Sequence, residues 1–416
     1  MKGLEAFMRS KMLWPLGALM SLNVFAQELP ENYIPVKPTA MGGAFTAIAN
    51  DENSVWTNPA GVARIRKART RKKVHLVSFP NMVGGINAQG KTFYNNFEIA
   101  KTHDGGTTAA NVSKALNQMT KIDKPIWALA EANPIAFMDL GKHVPIALGA
   151  YTNTHIKIAP DGSSSSLEDV ELVSDYGANL AFAFTNASNR ANFGIQIRPL
   201  LRYDYSDQVD VSTLVNFSKL ESRVKTQSNS THAVAIDIGG MYTLADFWFP
   251  TIGFAIFNMP TGCQDNYLNP FSETRQKICG TKFTGKINNP DSLYVIDPTD
   301  IRLGVSITPR LFHRLSLRFA ADVHHLYFQQ GQQYDGLPGV DASKLIHGGL
   351  ELFVGNPLLP PPFSVQVGLS QGFFSAGFVL RMGALAVQFA TYGEDISAEQ
   401  SSVEDQRTLV GLSLEF

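Results

Sequence analysis

Long stretches of the chain alternate between apolar and polar positions with a period of two. In Asp175–Thr185, the residues Tyr176, Ala178, Leu180, Phe182 and Phe184 make one face; Gly177, Asn179, Ala181 and Ala183 make the other. In Asn192–Tyr205, Ile195, Ile197, Leu201 and Tyr203 oppose Gln196, Arg198, Arg202 and Asp204. In Arg314–Tyr327, Leu315, Leu317, Phe319 and Val323 oppose Ser316, Arg318, Asp322 and His324. Side chains alternate across a strand, so each run predicts a strand with one apolar and one polar face. Similar runs cover Val144–Ile156, His232–Leu244, Thr251–Asn258, Asp300–Thr308, Ile346–Val354, Phe363–Ser370, Ser375–Met382, Leu385–Tyr392 and Arg407–Phe416. Weaker ones lie at Lys73–Phe79, Thr92–Ile99 and Asn133–Leu140. Strands of roughly 8–14 residues suit a tilted crossing of a bilayer, and an even number is expected, so the pattern predicts about 14 strands.

Charged residues within a strand, opposite a continuous hydrophobic face, fit a polar lumen and a lipid-facing wall. A soluble β-sandwich would alternate in the same way with its polar face in water. The two chain ends decide between them. Residues 1–26 read as a secretory signal: Lys2, Arg9 and Lys11 precede the apolar core Met12 to Met20, and Val24-Phe25-Ala26 places small residues at the −3 and −1 positions. The last strand carries Val410, Leu412, Leu414 and Phe416 on one face, with Gly411, Ser413 and Glu415 on the other. It resembles the C-terminal signal of bacterial outer-membrane β-barrels, in which a terminal Phe is read by the barrel assembly machinery. No apolar run of ~20 residues follows the signal, which leaves a closed barrel as the way to sit in a membrane. The expected fold is an all-β transmembrane antiparallel barrel, multi-pass in the outer membrane of a Gram-negative cell and in contact with its lipid. Tyr203, Tyr205, Tyr327 and Tyr392 are expected in interfacial girdles.

A formal net charge of −1 argues against a nucleic-acid partner. The two cysteines, Cys263 and Cys279, fall in an Asn-, Pro- and Gly-rich loop between Asn258 and Asp300, and in an oxidising compartment they suggest a loop disulfide. Further loops are the Ser-rich tip Asp161–Ser166 and the rigid Asn356–Pro362, while Thr107–Met119 reads as a short helix.

Several motifs that look like chemistry do not survive their context. Gly85 to Thr92 fits the Walker A pattern, but Phe93-Tyr94-Asn95 is a poor helix start, so a Gly-rich hairpin is expected. Gly368-Leu369-Ser370-Gln371-Gly372 fits a nucleophile elbow, yet the last histidine, His347, precedes it, and a tight turn is expected instead. Ala235 to Gly240 reads as a strand with a lumen-facing Asp237. Asp322, His324 and His325 form a conceivable metal cluster, but adjacent strand residues face opposite ways, so no shared ion is expected without a bulge. The chain therefore reads as a non-enzyme with no cofactor, no catalytic residue and no metal.

The most specific stretch is Ala40-Met41-Gly42-Gly43-Ala44-Phe45-Thr46-Ala47-Ile48-Ala49-Asn50-Asp51, followed by Val55-Trp56-Thr57-Asn58-Pro59-Ala60-Gly61. It resembles the plug, or hatch, of the FadL-like superfamily of outer-membrane proteins, of which Asn-Pro-Ala is a hallmark. The resemblance implies a plug over 27–70 with Gly42, Gly43, Asp51, Asn58, Pro59 and Ala60 as its key residues, and a 14-stranded barrel over 71–416. A barrel that wide leaves an open lumen, so something must block it. Small residues at Gly42, Gly43, Ala44, Ala47 and Ala49 permit close packing inside the wall. Asn58 and Asp51 are expected to hydrogen-bond lumenal arginines such as Arg198, Arg202, Arg318 or Arg381, and Arg64–Lys73 is expected at the periplasmic rim. Lys344-Leu345-Ile346-His347-Gly348-Gly349-Leu350-Glu351, with Ala390-Thr391-Tyr392-Gly393-Glu394, is similar to a shuttle-type branch (PorV-like) that serves type IX secretion.

Two functions follow from these resemblances. One is passage or binding of a small hydrophobic molecule such as a long-chain fatty acid, captured by Leu358, Leu359, Phe363, Phe373 and Phe374 and moved past the plug or through the wall. The other is docking of an exported protein by the disulfide-tied loops.

Overall fold

The computed structural model describes residues 33–65, 74–92, 124–140, 144–160, 167–186, 188, 190–210, 213–214, 217–268, 275–288, 296–312, 314–327, 345–355, 360–396 and 403–416. The signal, the 107–119 helix, the 161–166 tip, most of the 92–99 strand and basic run, and Leu358 and Leu359 lie outside them.

The strands are β1 (Val74–Asn87), β2 (Ile126–Ala132), β3 (Ile135–Leu140), β4 (Val144–Pro160), β5 (Leu167–Thr185), β6 (Ala191–Asp210), β7 (Asn229–Thr243) and β8 (Thr251–Phe257). A small group follows: β9 (Gly262–Leu268), β10 (Arg275–Lys282), β11 (Thr284–Lys286) and β12 (Ile296–Pro298). The chain then returns to the wall in β13 (Asp300–Ile307), β14 (Leu315–Tyr327), β15 (Ile346–Val354), β16 (Phe363–Ser370), β17 (Phe373–Met382), β18 (Leu385–Asp395) and β19 (Glu404–Glu415). Sixteen of these strands form one antiparallel sheet, which closes where β1 meets β19 and β7 meets β8. Within it β11 only adds to the side of β7, and β2 and β3 are one stave interrupted at Asn133 and Pro134, so the ring has fourteen staves. Pro134 has no N–H to give the ladder, which accounts for the break.

The wall has the two faces the alternation demands. Tyr176, Phe184, Ile197, Tyr203, Phe319, Val410, Leu412 and Leu414 are exposed on the outside, while Asn179, Gln196, Arg198, Arg202, Arg318 and Asp322 are buried inside. A band of exposed large apolar side chains around a closed barrel is a lipid-facing surface, so this is an outer-membrane β-barrel. None of the described helices is long and apolar enough to cross a membrane. Tyr203 is on the outer face, packed edge-on against Tyr176 at 6.1 Å. Tyr205 and Tyr392 are buried instead, so they do not join a girdle.

Wall height is uneven: β6 has 20 residues and β5 has 19, but β8 has only 7 and β13 has 8. The stretch 258–299 is not a plain loop. It holds a three-stranded sheet ordered β12-β10-β9, in which Cys263 and Cys279 are direct cross-strand partners joined by a disulfide. Phe363 starts β16 at the barrel end that carries Phe416, whereas Phe373 and Phe374 start β17 at the opposite end. The expected capture surface is therefore split between the two mouths.

Residues 33–65 run inside this ring, and almost all of them are buried. They form short helices at Val36–Ala40, Ser54–Thr57 and Val62–Ile65, and a 3-10 turn at Pro59–Gly61. The wall accepts them through inward-facing glycines. A Cβ on Gly368 would lie 2.3 Å from Gly42 N, one on Gly194 would lie 2.3 Å from Pro59 C, and one on Gly253 would lie 2.7 Å from Thr46 O. Gly43 combines a φ of +85° with His347 Nδ1 only 2.7 Å from where its Cβ would be, a position open to glycine alone.

Candidate functional site in the lumen

The Asn-Pro-Ala element has a clear local logic. The Asn58 side chain accepts from Ala60 N at 3.0 Å and so caps the 3-10 turn, with Pro59 in the first position where no N–H is needed. Its amide nitrogen reaches Thr46 O at 2.8 Å, Phe254 O at 3.1 Å and Gly240 O at 3.2 Å. Gly240 and Phe254 are register partners across β7 and β8, so Asn58 straps that seam from within.

Asp51 and Asn58 make none of the arginine contacts expected of them. Lys37, 1% exposed, holds Asp51 at 3.3 Å and Glu351 at 3.0 Å, and Glu351 also pairs with Arg318. Arg198 pairs with Asp237 at 2.6 Å and lies over Trp56; Arg202 pairs with Asp175 at 2.7 Å and with Asp297 at 2.6 Å. Among the described residues, only Arg381 of these arginines takes a carboxylate of the inserted segment, Glu52 at 3.4 Å, beside Glu415 at 3.0 Å. The reason is economy of desolvation: a lumenal arginine needs its counter-charge in the wall whatever the inserted segment does. Neither Lys37, between two prolines, nor Glu52 carried a periodic signal that would have singled it out. Glu351, a lone acid between Leu350 and Leu352, did.

Burial, reinforced by Asp51 and Glu415 and opposed by Arg381, raises the Glu52 carboxyl to about 7. A folded-state value above the unfolded one means the native state binds the extra proton. The stability it brings is complete below the ordinary carboxylate range and is lost as pH rises through about 7. The thermal midpoint of the inserted segment, followed by proteolysis, should thus fall between pH 5 and pH 8, and Glu52→Gln should flatten that fall.

The chemistry-like motifs resolve as follows. Residues 88–92 are helical rather than a hairpin, and Asn87 caps them by accepting from Gly90 N at 2.8 Å, but residues 85–87 belong to β1 and form no phosphate cradle. Gln371 (φ 54°) and Gly372 (φ 84°) make the turn between β16 and β17. Ser370 Oγ does lie 3.3 Å from His347 Nδ1, but that nitrogen is also 2.7 Å from Gly42 O. It must carry the proton to donate there, so it cannot take one from the serine. His324 and His325 both turn inward, because β14 bulges: two of its residues oppose Arg302, and His325 adopts φ 58°. Asp322 points into the lumen too, accepting from Phe45 N at 2.9 Å and Thr46 N at 2.7 Å.

Two spaces adjoin this machinery. A lumenal cavity of about 90 Å³ is lined by Trp56, Asn258, Asp300, Arg302, His325 and His347 among others. On the outer wall, directly behind Asn58, an apolar groove of about 740 Å³ runs across β7, β8, β13 and β14, faced by Tyr242, Ile252, Phe254, Leu303 and Val305.

No family model matches the chain, and no curated protein matches it. Among solved structures it is similar to the toluene transporter TodX of Pseudomonas putida (TM-score 0.47, 8% identity, 94% of this chain and 98% of that one). It is similar also to the CymD monoaromatic hydrocarbon channel (TM-score 0.49, 9% identity, 93% and 98%). A third is the toluene transporter TbuX of Ralstonia pickettii (TM-score 0.48, 11% identity, 93% and 99%).

Proposed function

We propose that the barrel binds small hydrophobic molecules and passes them across the outer membrane, with residues 27–70 as the plug that keeps the lumen shut. The observation that carries this reading is the outer apolar groove, backed by glycines and by the Asn58 strap. An apolar concavity of that volume holds a drug-sized hydrophobe. The wall behind it is a single strand thick, and Asn58 bonds both strands of the β7–β8 seam from within, with Arg64 donating to Thr243 Oγ1 at 3.0 Å beside it and Asp322 of β14 holding Phe45 and Thr46. Loosening these contacts frees the β7–β8 seam to part, and its parting would connect lumen and groove.

A second reading is favoured by the lumen itself: its interior is filled, and its charges are paired. A plug fixed that firmly suits a barrel that docks an exported protein by its outer loops, the disulfide-tied sheet among them.

Native mass spectrometry of the barrel in a lipid-like detergent separates the two. A stoichiometric hydrophobe, lost when Ile252→Trp and Val305→Trp fill the groove, supports passage. Binding indifferent to groove filling, or a ligand-free barrel retaining a folded protein, would sink it.

A further inference from the structure

We infer that His324, His325 and His347 form a binding site for a borderline divalent transition ion, of the Zn²⁺ type, where the inserted segment meets the wall. Each residue offers a ring nitrogen such that all three atoms lie within 4.8 Å of one another, and all three residues are buried. Zinc–nitrogen bonds of about 2.0–2.1 Å place ligand nitrogens roughly 3.3 Å apart in a tetrahedral site. Rotation of the rings, the stacked His324 and His347 pair included, closes the difference. The rings are already associated: His324 and His347 stack with centroids 4.1 Å apart, and His325 lies 5.9 Å from His324.

The surroundings are those of a ligand set rather than of core packing. His347 Nδ1 donates to Gly42 O at 2.7 Å, which fixes the tautomer and leaves Nε2 as the lone-pair atom. That Nε2 is buried with no hydrogen-bond partner, a costly condition that a metal bond would relieve. His324 Nε2 sits 3.3 Å from Asp322 Oδ2, and His325 Nδ1 sits 3.8 Å from Asp300 Oδ2. His347 and His324 thus each have one nitrogen within hydrogen-bond distance of an oxygen, the carbonyl- or carboxylate-histidine pairing that orients metal ligands. The bulge is the second argument. Holding a β-strand histidine at φ 58° strains the backbone, and its effect is to bring His325 to the side of its neighbour. Three imidazoles select zinc-like ions over calcium or magnesium, which prefer oxygen. The fourth position opens on the lumenal cavity, where water or a donor atom of a ligand completes the shell. The site stands independently of what the barrel carries.

The test uses the full chain without a histidine tag, freed of metal by a chelator and then titrated with Co²⁺ and Zn²⁺. Expected are visible d–d bands saturating at one Co²⁺ per barrel, displacement by Zn²⁺, and a raised thermal midpoint. His324→Ala and His325→Ala, each shown to remain a folded barrel by its heat-modifiable gel mobility, should weaken binding at least tenfold. Ser370→Ala, which touches His347 but offers no ligand, should not. Absence of saturable binding to the folded protein, or binding unchanged in both histidine variants, overturns the proposal. Should both variants fail to fold, the saturation and midpoint of the unsubstituted chain decide alone.

Discussion

Lys37→Met should destabilise the inserted segment by about 3–5 kcal/mol, the cost of removing one member of a buried ion pair. Lys37 is the only cation within ion-pair distance of Asp51 among the described residues, and one of two for Glu351. Methionine fills much of the same space but leaves both carboxylates in a lumen where Asp51 and Glu351 are essentially inaccessible to water. The barrel wall, held by its own ladders, should persist. Limited proteolysis should therefore open residues 33–65 to cleavage while the gel mobility of the folded barrel is unchanged, and conductance in a planar bilayer should rise. The comparison is Arg190→Ala: Arg190 pairs with Asp246 at 2.8 Å, but at 39% and 77% side-chain exposure. Such a surface pair is worth ~0–1 kcal/mol, and its loss should leave conductance as it was. Equal effects from the two substitutions would show that the buried network does not hold the segment.

Gly368→Ala should expel the turn at Gly42 from the lumen, whereas Gly348→Ala should be silent. The two glycines sit on adjacent strands in the same barrel, yet their surroundings differ completely. A Cβ on Gly368 would meet Gly42 N at 2.3 Å and Met41 C at 2.4 Å, both backbone atoms with nowhere to go; one on Gly348 has nothing within 4 Å. Overpacking of this kind costs about 1–3 kcal/mol, here levied on the segment and not on the ladder of β16. Thermal melts together with bilayer conductance read the difference, and a silent Gly368→Ala would mean the segment is not packed against β16 in solution.

The strand faces were legible because a period of two is enforced by the backbone itself: no residue of β5 or β6 can choose its side. That is why Arg198, Arg202, Arg318, Asp322 and His324 fall inside, and why Asp237 does. Partners were not legible, since pairing depends on which staves meet across the lumen, and that follows from closure rather than from local pattern. Arg202 finds Asp297 from a sheet that reads as a turn-rich loop, its strands short and rich in polar residues. His325 escaped for the opposite reason. Strict alternation puts it outside, and only a residue in the left-handed region, which nothing about histidine announces, reverses it. The Asn-Pro-Ala element was visible as a motif, but its bonds to Gly240 O and Phe254 O are made to carbonyls, which sequence does not distinguish.

The unequal wall has a consequence for the bilayer. Seven residues of β8 rise ~23 Å along the strand, and a tilt of ~40° leaves ~18 Å of height, less than the ~25 Å apolar band of such barrels. The 20 residues of β6 overshoot that band. Hydrocarbon cannot be left facing a gap, so lipid beside β8 and β13 must shorten or the barrel must lean toward them. The leaflets are then thinned along the side of the wall that carries β8, β13, β15 and β16, and at its β8 end the acyl chains lie nearest to Asn58.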